Sequence, residues 1–489
     1  MLSANNGAAR IRREILTRLA RLQFEGLLEQ RVHTIALEMI PRDSQALRCC
    51  VFHDREVIEM RVLASLGFGI ENYDETLLLS QYARKALERD EPTPPFLTVL
   101  DDACNSCDRS RYLVTNACQA CIARSCVMGC PKKCVEIVDD KARIDDERCV
   151  HCGLCQKNCP FHAIIRVPVP CEDACPVNAI TKDENGKARI DHEKCILCGA
   201  CMRECPFGAV MHKGQMVEVI KLLTGGRKAI ALYAPAVSGQ FGAEDGRLEE
   251  ARARAGFYRS YPVALGADLT AEHEAHELEG RMARGEMPMT TSCCPAYVQA
   301  ATKRVPALAD KLSEASTPMR YTAEMAKRDV PDGATVFISP CIAKYQESHA
   351  DPFVDRVLSV EELSAIFAAR GIAVADCEPR ARDKGPSAAG REFARAGGAT
   401  EAIRSRLRDG TTLRPRLIDG LDREALKNLE ALARGLPDGE GETPNLVEIM
   451  ACKGGCVAGP LTIADPKVAA ARIRKNAASG GEGDGGEKA

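Results

Sequence analysis

Two closely similar stretches of this chain lie 46 residues apart. "KARIDDERCVHCGLCQKNCPFHAI" (141–164) and "KARIDHEKCILCGACMRECPFGAV" (187–210) each carry the run C-x2-C-x2-C-x3-C-P. Such self-similarity marks two copies of one small unit. A half-repeat precedes each run: "CQACIARSCVMGCP", with Cys118, Cys121, Cys126 and Cys130, and "CEDACP", with Cys171 and Cys175. Further upstream, "CNSC" adds Cys104 and Cys107. Sixteen of the 25 cysteines lie between 104 and 205 in these spacings, and Cys134 sits among them. A secreted disulfide scaffold is small and loop-rich, whereas this chain has 489 residues. Its start, "MLSANNGAARIRREILTRLARL", lacks the apolar core and cleavage site of a signal peptide. It reads as an amphipathic helix, with a basic presequence as the alternative. Metal ligation is the economical use for so many clustered thiols. Zinc needs only four ligands in two knuckles, fewer than two full runs supply.

The runs resemble those of bacterial ferredoxins. There the first three cysteines of a run wrap one [4Fe–4S] cube, and the fourth ligates the other cube of a pair. That rule implies three sets: Cys118, Cys121 and Cys126 with Cys159; Cys149, Cys152 and Cys155 with Cys130; and Cys195, Cys198 and Cys201 with Cys175. A shift of 45 residues puts Ala163 and Arg166 where the first half-repeat has Cys118 and Cys121, so the second half-repeat is two ligands short. By elimination, Cys104 and Cys107 join Cys171 and Cys205 in a fourth set. A zinc knuckle or free thiols is the alternative for that pair. Cys134 aligns with Ala179 and reads as a small buried hydrophobe. A row of such clusters is an electron wire, with one end exposed to a partner and the other buried where chemistry happens.

The rest of the composition excludes more than it assigns. Formal net charge is −3, so neither a basic footprint for nucleic acid nor a strong acidic field is present. No apolar run approaches the ~18 residues of a membrane span. After residue 215, apolar runs such as "KAIALYAPAV" and "ATVFISPC" alternate with helical stretches such as "TAEHEAHELEGRMARG" and "VEELSAIFAARG". This is an α/β plan, in which sites form at the carboxyl ends of strands; "APAV" and "SPC" fall at such ends.

Five of the remaining cysteines stand in three short motifs: "TSCCPAY", "SPCIAKYQE" and "EIMACKGGC". Together with "YAPAV" (233–237) these resemble the signature segments of [FeFe]-hydrogenases, over roughly residues 100–475. The resemblance implies an H-cluster: a [4Fe–4S] cube joined through a cysteine sulfur to a diiron unit with CO, CN⁻ and a bridging azadithiolate. It implies three to four accessory [4Fe–4S] clusters besides. Cys294, Cys341 and Cys452 would hold the cube, and Cys456 would bridge cube and diiron. A helix would put Cys452 and Cys456, four apart, on one face, and Gly454 and Gly455 would leave room for the cluster. Cys293, the other half of the doublet, would relay protons, because a thiol with a pKa of roughly 8.5 both gives and accepts near working pH. Glu274, Glu277 and Ser313 match the family's path to water. Lys344 matches the lysine that bonds a cyanide, Met450 packs on the diiron, and Ala234 and Pro235 lie near the other cyanide. Glu347 matches a further acidic position. Tyr297 stands where the family has Trp, Ser339 where it commonly has Met, and Pro460 where glycine is usual.

The fold implied is an α/β catalytic domain with two sheet-containing lobes around the active cluster. It is preceded by α+β ferredoxin-like [4Fe–4S] domains and a mostly helical N-terminal region. The expected boundaries are 1–98 helical, 99–212 ferredoxin-like, 213–475 catalytic and 476–489 a disordered tail. Residues 378–398 should pack near the active cluster; Cys49 and Cys50 have no assigned part. The function implied is reversible H2 oxidation and proton reduction in the cytoplasm. A soluble carrier such as ferredoxin and diiron-maturation enzymes would be partners, with neither nucleic acid nor membrane involved. Two alternatives remain: a sensory relative with little turnover, and an iron–sulfur assembly or scaffold protein without the diiron unit.

Overall fold

The computed structural model describes residues 6–108, 110–380, 385–434 and 443–479. The chain opens with the helix Gly7–Phe24, whose start is capped by Asn6 accepting from the Ala9 N–H at 2.9 Å. Its apolar stripe buries Ile15, Leu16 and Leu19. One charge on that stripe is buried too. Arg12 donates twice to Glu361, at 2.6 and 2.9 Å, tying the first helix to the helix Val360–Ala369 of the catalytic region. Removing one partner of such a pair costs roughly 3–5 kcal/mol, since it strands the other charge.

The cysteine-rich region is built twice on one plan. Strand β1 (Leu97–Val99) pairs antiparallel with β8 (Val210–His212), and β6 (Ile180–Lys182) with β7 (Ala188–Ile190). In the same way β2 (Arg111–Val114) pairs with β5 (Ile164–Val167), and β3 (Val135–Val138) with β4 (Lys141–Ile144). The β2–β5 unit lies wholly between Cys107 and Cys171 of the other, so one unit is inserted into its neighbour. Arg111 and Val167 are register partners; the insert leaves and returns at one point, the arrangement that a host domain tolerates best. Strand β1 runs across residue 98, so its pairing with β8 draws the last residues before that position into this region.

Among the described residues, the region after residue 215 holds two parallel sheets. One has the order β10–β9–β12–β13, with β9 Ala229–Tyr233, β10 Arg259–Pro262, β12 Ala334–Ser339 and β13 Arg356–Ser359. The other has the order β11–β15–β14, with β11 Met289–Thr290, β14 Pro415–Asp419 and β15 Leu446–Met450. Strands β9, β12 and β15 are buried along their whole length, as parallel strands covered on both faces must be. Glu448 is the one charge within them, and it is met by the Gly397 N–H at 2.8 Å and by Thr400 at 2.6 Å. The last helix continues from Pro466 to Ser479. Residues 476–479, expected within a disordered tail, are therefore helical, and 480–489 lie outside the described residues. Among the described residues no helix is long and apolar enough to cross a membrane.

Candidate active site

One cavity gathers the chemistry of the catalytic region. It is lined by Cys293, Cys294, Cys341, Cys452 and Cys456, with Ala234, Pro235, Ser339, Lys344 and Met450. Each arrives from the carboxyl end of a strand: Ala234 after β9, Cys341 after β12, the doublet after β11 and Cys452 after β15. Phe393 and Ala394 line it as well, so the expected packing of 378–398 holds for that part; 381–384 lie outside the described residues.

The helix expected across Cys452 and Cys456 is absent. Gly454 and Gly455 adopt φ of 95° and 87°, left-handed values that glycine tolerates and a helix cannot. The chain turns there, with the Gly454 N–H bonded to Asp419 at 2.6 Å, and Cys456 starts a single 3-10 turn, Cys456–Ala458. A Cβ on Gly455 would come within 2.5 Å of the Ala394 carbonyl oxygen. The glycines thus serve a close backbone approach.

The doublet divides its two side chains between two packing environments. Cys294 precedes Pro295, the first residue of the helix Pro295–Arg304, and packs on the main core. Cys293 packs with Ala271, Ala275 and Phe393 in a separate apolar cluster on the helix Ala264–Arg284. Burial, then the nearby Glu274 carboxylate, pushes the Cys293 thiol well above its ordinary value. Glu274 is fully buried and accepts from the Ser292 N–H at 3.3 Å. Ser313 donates to Glu277 at 2.7 Å, and Arg281, four residues on, donates to the same carboxylate at 2.8 Å. Glu277 thus joins Ser313 and Arg281, one helical turn along from the buried Glu274. The sequence reading missed Arg281, although a Glu followed four residues later by Arg on one helix is a readable signal. It also missed Glu448, which raises the Cys293 and Cys456 thiols.

Burial lifts the Glu274 carboxyl to about 8. Below its ordinary value of 4.5 it is neutral in folded and unfolded chains alike. Between 4.5 and about 8 the fold keeps a proton that the unfolded chain has lost, so stability falls as pH rises through this window. Infrared difference spectra between pH 6 and 9 should show a protonated carboxyl absorption disappearing, and Glu274→Gln should remove that signal. Its presence in the variant would place the buried proton elsewhere.

Lys344 is the only charged side chain lining the cavity. Burial pulls its pKa down, but the Glu347 carboxylate, 2.7 Å away, outweighs this and leaves it above the ordinary lysine value. Glu347 also accepts from the Thr317 hydroxyl at 2.6 Å, which gives this acidic position a partner that the motif alone did not. The hydroxyl of Tyr297, where the resemblance expected Trp, donates to Thr290 at 2.9 Å, both groups buried. Ser339 accepts the Cys341 N–H at 3.1 Å. The five motif thiols, one ammonium and a mostly apolar wall fit an anionic iron–sulfur group carrying small uncharged and cyanide-like ligands.

The sixteen thiols of the repeat region also fall into groups. One cavity is lined by Cys118, Cys121, Cys126 and Cys159, and another by Cys130, Cys149, Cys152 and Cys155, with Cys134 buried beside them. Burial pushes Cys198 to about 12, with Cys195 and Cys175 adding to the shift. Burial also pushes Cys171 to about 12, with Cys205 and Cys107 contributing. The backbone repeats in step. The third residue of the first C-x2-C in each set, Ser106, Ala120, His151 and Leu197, has φ between 45° and 55°. After each Cys-Pro, the backbone N–H of Cys134, Ala163, Ala179 or Ala209 reaches the sulfur four residues back, at 3.4, 3.4, 3.1 and 3.4 Å. Ala142 donates to Cys118 and Ala188 to Cys104, each at 3.5 Å, so "CNSC" holds in the outer unit the place that "CQAC" holds in the insert. Among the described residues no three His, Cys, Asp or Glu side chains are arranged around one metal ion; a four-iron cube, being larger, would need thiols that stay further apart. The Cys195–Cys201 loop abuts the active cavity, for Cys198 lines it and Lys303 bonds the Cys195 carbonyl at 2.8 Å.

Residues 227–460 match the family model for the iron-only hydrogenase large subunit, C-terminal domain. Residues 170–209 match a 4Fe-4S dicluster domain and 142–165 a 4Fe-4S binding domain. The chain is 28% identical over 299 residues to the NADP-reducing hydrogenase subunit HndD of Solidesulfovibrio fructosivorans, covering 50% of this chain and 51% of that one. It is 30% identical over 296 residues to the periplasmic [Fe] hydrogenase large subunit of Nitratidesulfovibrio vulgaris, covering 50% of this chain and 70% of that one. Against iron hydrogenase 1 of Clostridium pasteurianum the identity is 27% over 262 residues, covering 44% and 45%. The chain thus spans about half the length of the first and last of these relatives. A solved [FeFe]-hydrogenase HydA1 structure from Chlamydomonas reinhardtii aligns with TM-score 0.41 at 21% identity, over 53% of this chain and 87% of that one.

Proposed function

The chain belongs to the iron-only hydrogenase family, and from that premise we propose that it interconverts H2 with two protons and two electrons. The observation that carries the reading is one cavity holding all five motif cysteines and a single lysine. Cys294, Cys341 and Cys452 would hold the cube of an H-cluster, and Cys456 would join it to the diiron unit. When bound, the diiron unit would supply the iron at which the H–H bond is cleaved, with an amine base beside it. Lys344 would face a cyanide, its charge kept by Glu347, while Ala234, Pro235 and Met450 shape the walls and exclude water. Cys293 would pass the proton to Glu274, and Ser313 and Glu277 would carry it outward. The two parallel sheets read as two lobes that close on this cavity, within the regional division 1–98, 99–212, 213–475 and 476–489.

Electrons would leave through the Cys175–Cys195–Cys198–Cys201 cube, whose loop abuts the cavity, then through the Cys104–Cys107–Cys171–Cys205 cube. The insert begins four residues after Cys107 and ends four before Cys171, so its two cubes continue the wire from that junction. A carrier such as ferredoxin would take the electrons, and maturation enzymes would deliver the diiron unit. The cytoplasm, which keeps thiols reduced, is the compartment proposed for this chain. Iron and sulfide analysis of the reconstituted chain should approach four accessory cubes beside the active one, and Cys104→Ser with Cys107→Ser should remove one. A yield capped at three accessory cubes and indifferent to that change would eliminate the fourth set.

A further inference from the structure

Outside the four sets and the active cavity, four cysteines remain: Cys134 and Cys377, which are buried, and Cys49 and Cys50, which are exposed. The exposed pair has company. Cys49 Sγ lies 3.2 Å from His53 Nδ1 and 3.9 Å from Cys50 Sγ. His53 Nε2 lies 3.3 Å from the Asp102 carbonyl oxygen. A carbonyl only accepts, so Nε2 carries the ring proton and Nδ1 presents its lone pair to the Cys49 thiol. The Cys49 thiol, the imidazole base and its orienting carbonyl thus stand in line, with Cys50 on the far side of Cys49, open to solvent at the start of the helix Val51–Ser65.

We propose that Cys50, Cys49 and His53 form an activated thiol relay on the protein surface, a modification site that accepts a low-molecular-weight disulfide by exchange. Cys50 is the nucleophile. The backbone N–H of His53 faces its sulfur and holds the thiol below its ordinary value, while the neighbouring Cys50 sulfur pushes Cys49 up. The charged groups around the trio are Arg48, paired with Asp54 at 3.0 Å, and the carboxylates Glu56 and Asp102. At rest the Cys49 thiol donates toward the Cys50 sulfur; in the step itself it turns to give its proton to His53 Nδ1 and takes the Cys50 proton in its place. The Cys50 thiolate attacks one sulfur of the incoming disulfide. A new S–S bond forms as the old one breaks, and the departing thiolate leaves with the imidazolium proton. One protein thiol and one disulfide become one mixed disulfide and one free thiol. Closure onto Cys49 would need a strained eight-membered ring, so the mixed disulfide persists. Asp102 stands two residues ahead of Cys104, which places the adduct beside the junction of the two cysteine-rich units. The inference does not depend on H2 chemistry.

The test uses cluster-loaded protein without oxygen at pH 7 and an aromatic disulfide that releases a coloured thiolate. One equivalent per chain should be released in a fast phase, about tenfold faster than from glutathione, and mass mapping should place the adduct on Cys50. Cys50→Ser should abolish the fast phase, and His53→Gln should slow it about fivefold with iron content unchanged. A rate no faster than glutathione's, one indifferent to His53→Gln, or an adduct on another cysteine would overturn the relay. Release of two equivalents would show that the pair closes on itself and would overturn the persistent adduct.

Discussion

Serine in place of Cys293 should lower H2 oxidation and evolution by at least about a hundredfold, the lower range for a positioned acid–base group, while iron content stays normal. The two halves of the doublet face different surroundings, with Cys294 on the main core and Cys293 in the separate cluster on the Glu274 helix. A change at Cys293 should therefore spare the cube. Serine keeps nearly the same shape, but its hydroxyl is far less acidic than a thiol and cannot trade a proton with a buried carboxyl held near pH 8. Cys294→Ala should do the opposite and lose the cube. Glu277→Gln should also slow turnover without loss of iron, because it keeps the contact to Ser313 but cannot carry the proton. Full activity in Cys293→Ser would reduce that thiol to packing. Loss of the cube in Cys293→Ser with its retention in Cys294→Ala would exchange the two roles.

Cys456→Ala should abolish stable diiron binding altogether. In the proposed arrangement its sulfur is the only protein bond to that unit. The turn that presents it is set by Gly454 and Gly455, not by the cysteine, and Asp419 anchors the turn through the Gly454 N–H. The loop should keep its course in the variant, and the accessory cubes should load as before. CO and CN⁻ absorptions of ordinary strength from Cys456→Ala would refute the assignment.

The parts of this architecture that were legible in the sequence are those where chemistry fixes spacing. A cube dictates C-x2-C-x2-C, and the structure lines one cavity with Cys118, Cys121, Cys126 and Cys159 and another with Cys130, Cys149, Cys152 and Cys155; the other two sets belong to the proposal. Strand ends were legible because "APAV" and "SPC" follow unbroken apolar runs. What stayed hidden depends on long-range pairing or on backbone turns. Nothing in "FLTVL" declares that it pairs with residues more than a hundred positions away, so the nesting of one unit in the other emerged only from the β1–β8 register. The i, i+4 spacing of Cys452 and Cys456 suggested a helix, but the two glycines between them select a left-handed turn. Arg281 carried no assignment, and Glu347 matched only an acidic position. They acquire their places because the segment ending at Ser313 and the lysine at 344 fold against them.

The most direct test of the central claim is an infrared spectrum of the protein produced together with diiron-maturation enzymes, recorded beside an H2 assay. No amino acid absorbs where metal-bound CO and CN⁻ do. The account predicts both kinds of band together with H2 turnover, and their loss in Cys456→Ala. Protein whose cubes are fully loaded and which shows neither band nor turnover would contradict it, and would leave the cavity to a cube alone.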